Sequence, residues 1–235
     1  MQNQVIVREL HSFQEQAEAR AIFDLVWPLE TGGTEITSNL MQSVLHNGGY
    51  LSGAYDGDKI VGATFAFPSI EPELHIHSHM SATIDGYRDQ GIGHQMKVHQ
   101  YHWARKHGYK SITWTYDPLV KRNAKFNLIK LGVDLIEYLP NFYGEMEDAL
   151  NKGDETDRLM VRWDLTSPEP KSRTLIEQIP AGAKTIAIPE DIVNIREANL
   201  SEAIKWRHKV RGQFQEVKEL KSLLGLSVNG EYVFS

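Results

Sequence analysis

The sequence predicts an α/β (α+β) fold, in which β-strands and amphipathic helices share one chain of 235 residues. Two observations lead to this prediction. Asp56-Gly57-Asp58 separates two strand-like stretches, and such a turn is a strong signal for a β-hairpin. Farther along, a strand-like stretch, a glycine-rich turn and a helical pattern follow one another between residues 75 and 107. The chain should therefore contain both a sheet and helices that pack on it.

The first half of the chain is divided into elements by its turn residues. Pro28 and the two glycines after Thr31 end a first amphipathic helix, and Gly48-Gly49 ends a second. Strands are predicted where β-branched and aromatic residues cluster between turns. The expected strands are residues 5–8, 50–55, 59–67 and 75–84, and the expected helices are residues 15–27 and 38–46.

The second half continues with a helix that runs from the glycine turn to about residue 107 and ends at Gly108. The run Ser111–Tyr116 reads SITWTY and indicates a buried strand. Pro168 and Pro170 mark a change of character, and we assign residues 1–166 to the main domain and 167–235 to an extension packed on it. The remaining predicted elements are helices at 119–131 and 200–223 and strands at 133–138, 159–165 and 231–234.

Composition limits the classes of function. The chain has no cysteine, which excludes disulfides, thiolate metal ligands and a cysteine nucleophile and suits a cytoplasmic protein. No apolar run has the length of about 18 residues typical of a membrane helix, so no membrane partner is expected. The net charge of −6 disfavours nucleic acid as a partner, because nucleic-acid binding normally relies on a basic surface. A homodimer is compatible with the sequence.

The segment Arg88-x-x-Gly91-x-Gly93 carries the clearest chemical signal. It lies between a predicted strand and a helix, and free N–H groups at a helix N-terminus form a natural phosphate site. Glycines let the backbone approach an anion closely. The residue after Gly93 is His94, so the segment is not a nucleotide P-loop, and it has no third glycine in dinucleotide register. A tight turn without a ligand would need similar glycines and stays an open alternative.

The stretch from Tyr87 to Gly93 closely resembles the coenzyme A pyrophosphate loop of the GNAT acyltransferase superfamily. The resemblance covers roughly residues 5–165 and includes a Leu-Gly at residues 131–132. It looks closest to a group of uncharacterised GNAT proteins with runs like His-Ser-His-Met, Thr-Trp-Thr-Tyr-Asp-Pro-Leu and Arg-Asn-Ala-x-Phe-Asn, here residues 77–80, 113–119 and 122–127. It implies a mixed, mostly antiparallel central sheet flanked by helices. The C-terminal extension, with its predicted helix and strand, lies outside the resemblance.

The resemblance also implies an acyl-CoA co-substrate and its contacts. Backbone amides of the glycine loop would bind the pyrophosphate, and the strand before it would pair with the pantetheine arm, with one N–H facing the thioester oxyanion. Asn123 would contact the coenzyme arm or, alternatively, serve as a surface or capping residue. The implied coenzyme-binding residues are Ser81, Ala82, Thr83, Arg88, Asp89, Gln90, Gly91, Ile92, Gly93, His94 and Asn123.

The expected reaction is attack of an amine on the acyl thioester, which requires a base because an alkylammonium has a pKa of about 10.4. The superfamily often places a glutamate base on the fourth strand, where this sequence has His77. We predict His77, then His79, as the base, with structural histidines as the alternative. Relatives often carry a tyrosine acid where this chain has Leu128, so we predict Tyr116 as acid or, otherwise, simple strand packing.

Three histidines at residues 75, 77 and 79 also suggest a metal site. In a straight strand the first and third would lie about 13 Å apart, too far for one ion. We therefore expect no metal. Arg207, Lys209 and Arg211 form a basic run, which usually marks a solvated face, although contact with the coenzyme 3′-phosphate, an acidic substrate or nucleic acid stays open.

These observations predict an acyl-CoA-dependent N-acyltransferase that moves an acetyl or succinyl group to an amine of a small molecule, with an amino acid as one option. A succinyl carboxylate would favour a nearby cation such as Arg122 or Lys125. A non-catalytic acyl-CoA-binding regulatory module is the alternative. The loops at residues 28–36 and 141–154 are expected to shape the acceptor pocket.

Overall fold

The structure is a computed structural model of the chain. It describes residues 5–29, 32–146, 153–217 and 219–235, so parts of both predicted pocket loops, residues 30–31 and 147–152, lie outside the described residues. The chain divides into two compact units. The first comprises Met1–Thr113 and Asp164–Glu169, and the second comprises Trp114–Trp163 and Pro170–Ser235. The predicted domain boundary after residue 166 is a separate assignment and stays a prediction.

A mixed sheet forms the centre of the first unit. Its strands are hydrogen-bonded in the order β1-β2-β3-β4-β5. The first three pairings are antiparallel, whereas β4 and β5 run parallel. The predicted hairpin joins β2 and β3. The strand bounds are Ile6–Glu9 (β1), Tyr50–Asp56 (β2), Lys59–Ser69 (β3), His75–Thr83 (β4) and Ser111–Tyr116 (β5), the last of which continues into the second unit.

Three helices pack on this sheet through two apolar clusters. Helix α1, Phe13–Val26, begins with a capping box between Ser12 and Glu15, and α2 spans Ser38–His46. Both contribute to a cluster that includes Phe23, Met41, Phe65 and Met80. Helix α3, Ile92–Lys106, joins a second cluster, formed by Ala54, Val61, Ile92 and Met96. The mixed, mostly antiparallel sheet with flanking helices confirms the predicted fold class.

Strand β4 contains a β-bulge at His79, the third of its three histidines. Met80 pairs with Phe65 and Ser78 pairs with Ala66, so His79 is an extra residue without a partner on β3. A bulge bends its strand and changes the direction of the side chains that follow it. The next described feature after β4 is the glycine turn, so the bulge lies on the strand that leads to the predicted coenzyme loop.

The second unit contains an antiparallel strand pair and a small three-stranded sheet. Strands β6, Asp134–Leu139, and β7, Arg158–Asp164, form the pair, although Asp164 itself belongs to the first unit. The small sheet has the order β8-β10-β9. Its strands are Lys184–Ile186 (β8), Leu223–Leu226 (β9) and Tyr232–Phe234 (β10). The helices are α4, Lys121–Ala124, a π-helical segment, Lys125–Lys130, α5, Ile192–Ala198, α6, Leu200–Gln215, and a 3₁₀ turn, Leu220–Ser222.

Two predicted helices differ from the structure. The helix expected at residues 119–131 consists of α4 and the π-helical segment, in which Asn127 is buried and accepts a hydrogen bond of 2.9 Å from the Trp114 indole. The helix expected at residues 200–223 ends at Gln215, and the rest of the range contains a 3₁₀ turn and the start of β9. Periodicity predicted the helical character and missed where it ends.

The prediction that the basic run on α6 is exposed to solvent was wrong for Arg207. This side chain is 1% exposed and makes a bidentate pair with Asp117, at 2.7 and 2.8 Å, and a further contact with Asp154 at 2.8 Å. Arg211 pairs with Glu155 and Asp157 in the same unit. Nearby carboxylates neutralise both arginines, so they hold α6 to its own unit. Among the described residues, no helix is long and apolar enough to cross a membrane.

Candidate active site

The predicted phosphate loop is an open turn at the start of α3. Gly91 adopts φ 80° as the residue before the helix, and no side chain caps this helix end. A Cβ added to Gly91 would meet no atom within 4 Å, so the positive φ, and not crowding, favours glycine at this position. The amides of the first turn have no intrahelical acceptor and carry the positive end of the helix dipole. The turn can therefore accept an anion.

The other loop residues shape this turn. Asp89 has a positive φ of 62°, and the Gln90 side chain donates to the Gly86 carbonyl at 2.7 Å. Arg88 is exposed and pairs with Asp85 at 3.0 Å. The contact that anchors this loop was not predicted from the sequence. The Tyr87 hydroxyl donates to Asp56 at 2.8 Å and so ties the loop to the β2–β3 hairpin.

The end of β4 has a free edge in the described strand pairings. The parallel ladder with β5 covers only two residue pairs, Ile76 with Ile112 and His77 with Thr113. Beyond them, Ser81, Ala82 and Thr83 pair with β3 on one side. The Ser81 hydroxyl also meets the Thr64 hydroxyl at 3.0 Å. An extended ligand could add to the other edge as an extra strand does.

His77 and His79 lie on one side of the sheet, as predicted from their alternate spacing. Their ring centroids are 6.2 Å apart, and both rings contact Phe67, at 5.1 and 5.6 Å. A hydrogen bond of 3.1 Å joins His77 Nδ1 to the Thr113 hydroxyl, and the tautomer decides which partner donates. Burial lowers the pKa of His77 to about 4, helped by the nearby His79, Lys97 and His75. His77 is therefore neutral at physiological pH.

His79 lines a pocket of about 510 Å³ beside α2. Burial also lowers the pKa of His79, although part of its side chain is exposed. Six of the ten lining residues are apolar, and the polar ones are Glu35, Ser43, Asn47 and His79. Such a pocket suits an organic group with a polar end. The sequence did not identify Glu35 or Asn47, because neither belongs to a recognisable motif.

Lys97 of α3 is a buried lysine that was not predicted as a site residue from the sequence. Its side chain is 3% exposed and donates to the Ser78 hydroxyl at 2.7 Å and to Gln100 Oε1 at 3.1 Å. Burial lowers the pKa of Lys97 to about 7. The only sequence signal was its helical phase, since Lys97 lies three and seven residues before the buried Gln100 and Ala104.

Two predicted site residues belong to the second unit. Tyr116 is 5% exposed, and its hydroxyl accepts from Tyr232 at 3.4 Å. Burial raises the pKa of Tyr116, which makes it a weak acid in this environment. Asn123 lies in the single turn of α4, where its backbone amide donates to the Val120 carbonyl. The roles of both residues stay predictions.

The geometry does not support a metal ion bound by the histidines of β4. Within the described ranges, no group of three histidine, aspartate or glutamate side chains is placed to hold one. His75 instead contacts the Glu73 carbonyl at 2.9 Å through Nδ1.

The comparisons with known proteins agree with the fold. Residues 17–127 match the model of the Acetyltransferase (GNAT) family, a range that contains β4, the glycine turn and α3. This segment, just under half of the chain, is similar to the GNAT family. The predicted resemblance and the predicted enzyme class, an N-acetyltransferase-like acyltransferase, are thus confirmed. No curated protein matches the sequence significantly.

Three acetyltransferases of low sequence identity are among the solved structures with a similar fold. Arabidopsis thaliana Naa50, in complex with the bisubstrate analogue CoA-Ac-MVNAL, has 15% identity and a TM-score of 0.54 over 68% of this chain and 98% of its own. The Escherichia coli ribosomal-protein-S18-alanine N-acetyltransferase has 12% identity and a TM-score of 0.54 over 70% and 96%. An aminoglycoside 6′-N-acetyltransferase complexed with coenzyme A has 17% identity and a TM-score of 0.51 over 71% and 99%. At these identities the likeness establishes the fold.

Proposed function

We propose that this protein transfers an acetyl group from coenzyme A to a primary amine of a small molecule. The observation that carries the proposal is the N-terminus of α3 behind Gly91, where no side chain caps the helix and the Cβ position of Gly91 has open space around it. Two of the structural neighbours are complexed with coenzyme A or a coenzyme A bisubstrate analogue, which supports the same co-substrate here. Succinyl-CoA is the alternative donor, with Arg122 or Lys125 as partners for its carboxylate.

On the coenzyme side, the pyrophosphate would bind the amides between Arg88 and His94. The pantetheine arm would then pair with the free edge of β4 at Ser81, Ala82 and Thr83. A backbone N–H at this edge would donate to the thioester carbonyl and stabilise the oxyanion that forms on attack. Asn123 is kept as a proposed contact to the coenzyme arm.

On the acceptor side, the pocket lined by His79 would hold the amine substrate. The two phenylalanines in its wall, Phe65 and Phe67, favour an apolar body, and the Glu35 carboxylate would attract a cationic amine. We therefore expect an amine with an apolar side group, such as an arylalkylamine or an apolar amino acid. The predicted amino-acid acceptor is one member of this class.

In the proposed reaction, the histidines would accept a proton from the attacking amine. Because the pKa of His77 is about 4, the ring is available in its neutral form from about pH 5 upward. Full proton transfer from a free alkylammonium with a pKa of about 10.4 would be unfavourable by about 9 kcal/mol. The small neutral fraction of the amine would therefore attack the thioester carbonyl. His77 or His79 would accept the proton that the nitrogen releases once the C–N bond has formed, and would pass it to water. Tyr116 would act as the acid that protonates the leaving thiolate.

The second candidate is a non-catalytic acyl-CoA-binding regulatory module. Leu128 occupies the position of the acid that relatives often carry, and it is buried. The Tyr116 hydroxyl already contacts Tyr232. This candidate predicts coenzyme binding without transfer to any amine.

The cytoplasmic location and the homodimer stay predictions from the sequence.

A donor and acceptor screen tests the proposal. Purified protein is mixed with acetyl-CoA or succinyl-CoA and a panel of amines, and the release of free thiol is measured. We expect thiol release with acetyl-CoA and apolar amines, a loss of at least tenfold in His79→Ala, and no loss in His11→Ala, which changes an exposed histidine. Binding of acyl-CoA without thiol release for any amine would favour the regulatory module.

A further inference from the structure

A buried polar cluster joins α3 to β4 beneath the two predicted catalytic histidines. Lys97 donates to the Ser78 hydroxyl at 2.7 Å and to Gln100 Oε1 at 3.1 Å. The three side chains are 3%, 4% and 0% exposed. All three belong to the first unit, and the cluster links the helix that follows the glycine turn to the strand that carries the histidines.

This cluster is costly for the fold. Moving an ammonium group out of water is unfavourable unless its partners compensate, and here burial lowers the pKa of Lys97 to about 7. The Gln100 side chain also has a buried Nε2 that has no hydrogen-bond partner among the described residues. A methionine at residue 97 would fill a similar volume without a buried charge. Stability alone therefore gives no reason for a lysine here.

The position of Ser78 suggests what the lysine does. Ser78 lies between His77 and His79, and the bulge makes His79 an extra residue directly after it. The Ser78 side chain turns toward α3, whereas both histidine rings contact Phe67. A hydrogen bond to Ser78 thus acts on the backbone at the point where the strand changes the direction of its side chains.

We propose that Lys97 is a positioning residue, which holds the β4 bulge through Ser78 and thereby fixes the orientation of His77 and His79. The proposal rests on the proposed function only for its catalytic consequence, because the contact itself belongs to the fold. The charge of Lys97 also contributes to the lowered pKa of His77, together with burial, His79 and His75. Lys97 therefore acts on the histidines by geometry and by charge.

Three variants separate these effects. Lys97→Met removes the hydrogen bond and the charge, Ser78→Ala removes the hydrogen bond and keeps the lysine, and Lys106→Met removes an exposed lysine from the last turn of the same helix. Histidine side-chain resonances are followed by NMR from pH 3.5 to 8. The pKa of His77 should rise by about 0.5 in Lys97→Met, through loss of a like charge. The His77 and His79 resonances should shift in Ser78→Ala, and Lys106→Met should match the wild type.

Steady-state kinetics give a second readout. Both Lys97→Met and Ser78→Ala should lower kcat about tenfold with little change in the KM for acyl-CoA. The double variant should lose no more than the stronger single one, because both act through one contact. Unchanged histidine resonances in Ser78→Ala would overturn the proposal, and this result can be read even if Lys97→Met does not fold. If the wild type transfers no acyl group, the proposed function fails, while the NMR result still decides the role of Lys97.

Discussion

Replacement of Lys97 by methionine should change how the stability of the protein depends on pH. The pKa of Lys97 falls from 10.5 to about 7, because the folded protein removes the ammonium group from water. Between these two values the unfolded chain binds more protons than the folded one, so the wild type becomes more stable as pH rises. At 1.36 kcal/mol per pKa unit, the full effect is about 5 kcal/mol.

The useful pH window is narrower than that span. Buried tyrosines such as Tyr50, whose pKa burial raises, oppose the effect once unfolded tyrosines ionise near pH 10. Between pH 7 and pH 9.5, the free energy of unfolding of the wild type should rise by about 3 kcal/mol relative to Lys97→Met. The comparison with the variant cancels the contribution of groups that both proteins share.

Urea unfolding at pH 7, 8, 9 and 9.5 measures this difference, with Lys106→Met as the control. The control should follow the wild type at every pH. A difference between wild type and Lys97→Met that stays constant across the window would refute the reasoning. It would mean that Lys97 keeps an ordinary pKa and that its ammonium group is hydrated in the folded protein.

Three further predictions concern separate features of the molecule. The value of kcat/KM should rise from pH 6 to 9 without an inflection near pH 6.5, because the pKa of His77 is about 4. An inflection near pH 6.5 that disappears in His77→Ala would contradict this prediction. Arg207→Met should lower the free energy of unfolding by about 3 kcal/mol, since it removes the bidentate partner of Asp117 and a partner of Asp154 and leaves both carboxylates to Arg196. The exposed Lys209→Met should have little effect, and equal losses of the two variants in urea unfolding would be inconsistent with the buried pairs. Gly132→Ala should lower the melting temperature far more than Gly182→Ala. Both glycines have a positive φ, but only the Cβ at residue 132 would lie 2.0 Å from a carbonyl oxygen. Similar melting temperatures of the two variants would argue against that contact.

Local sequence patterns predicted the features that depend on local structure. The Asp56-Gly57-Asp58 turn does join two antiparallel strands, and Gly91 does precede α3 in a left-handed conformation. Each of these features depends on a few adjacent residues with special backbone preferences. The alternate spacing of His77 and His79 also placed their rings on one side, where both contact Phe67.

Features that depend on distant partners were not predictable from one sequence. Arg207 looked like a solvated residue, and only Asp117, 90 residues away, explains its burial. Lys97 looked like an ordinary helix lysine until β4 placed Ser78 against it. The bulge at His79 arises from the register between two strands, which the side-chain pattern of a single strand does not specify.

The central claim is that the N-terminus of α3 binds the coenzyme A pyrophosphate, and calorimetry with coenzyme A tests it most directly. Gly91→Ala and Gly86→Ala form a matched pair, because the two glycines have φ 80° and 82° and open space around a Cβ. Each substitution should cost about 1 kcal/mol of stability. We predict that the wild type binds, that Gly86→Ala binds with similar affinity, and that Gly91→Ala loses at least tenfold. A folded wild type that binds no coenzyme A, or an equal loss in both variants, would contradict the account.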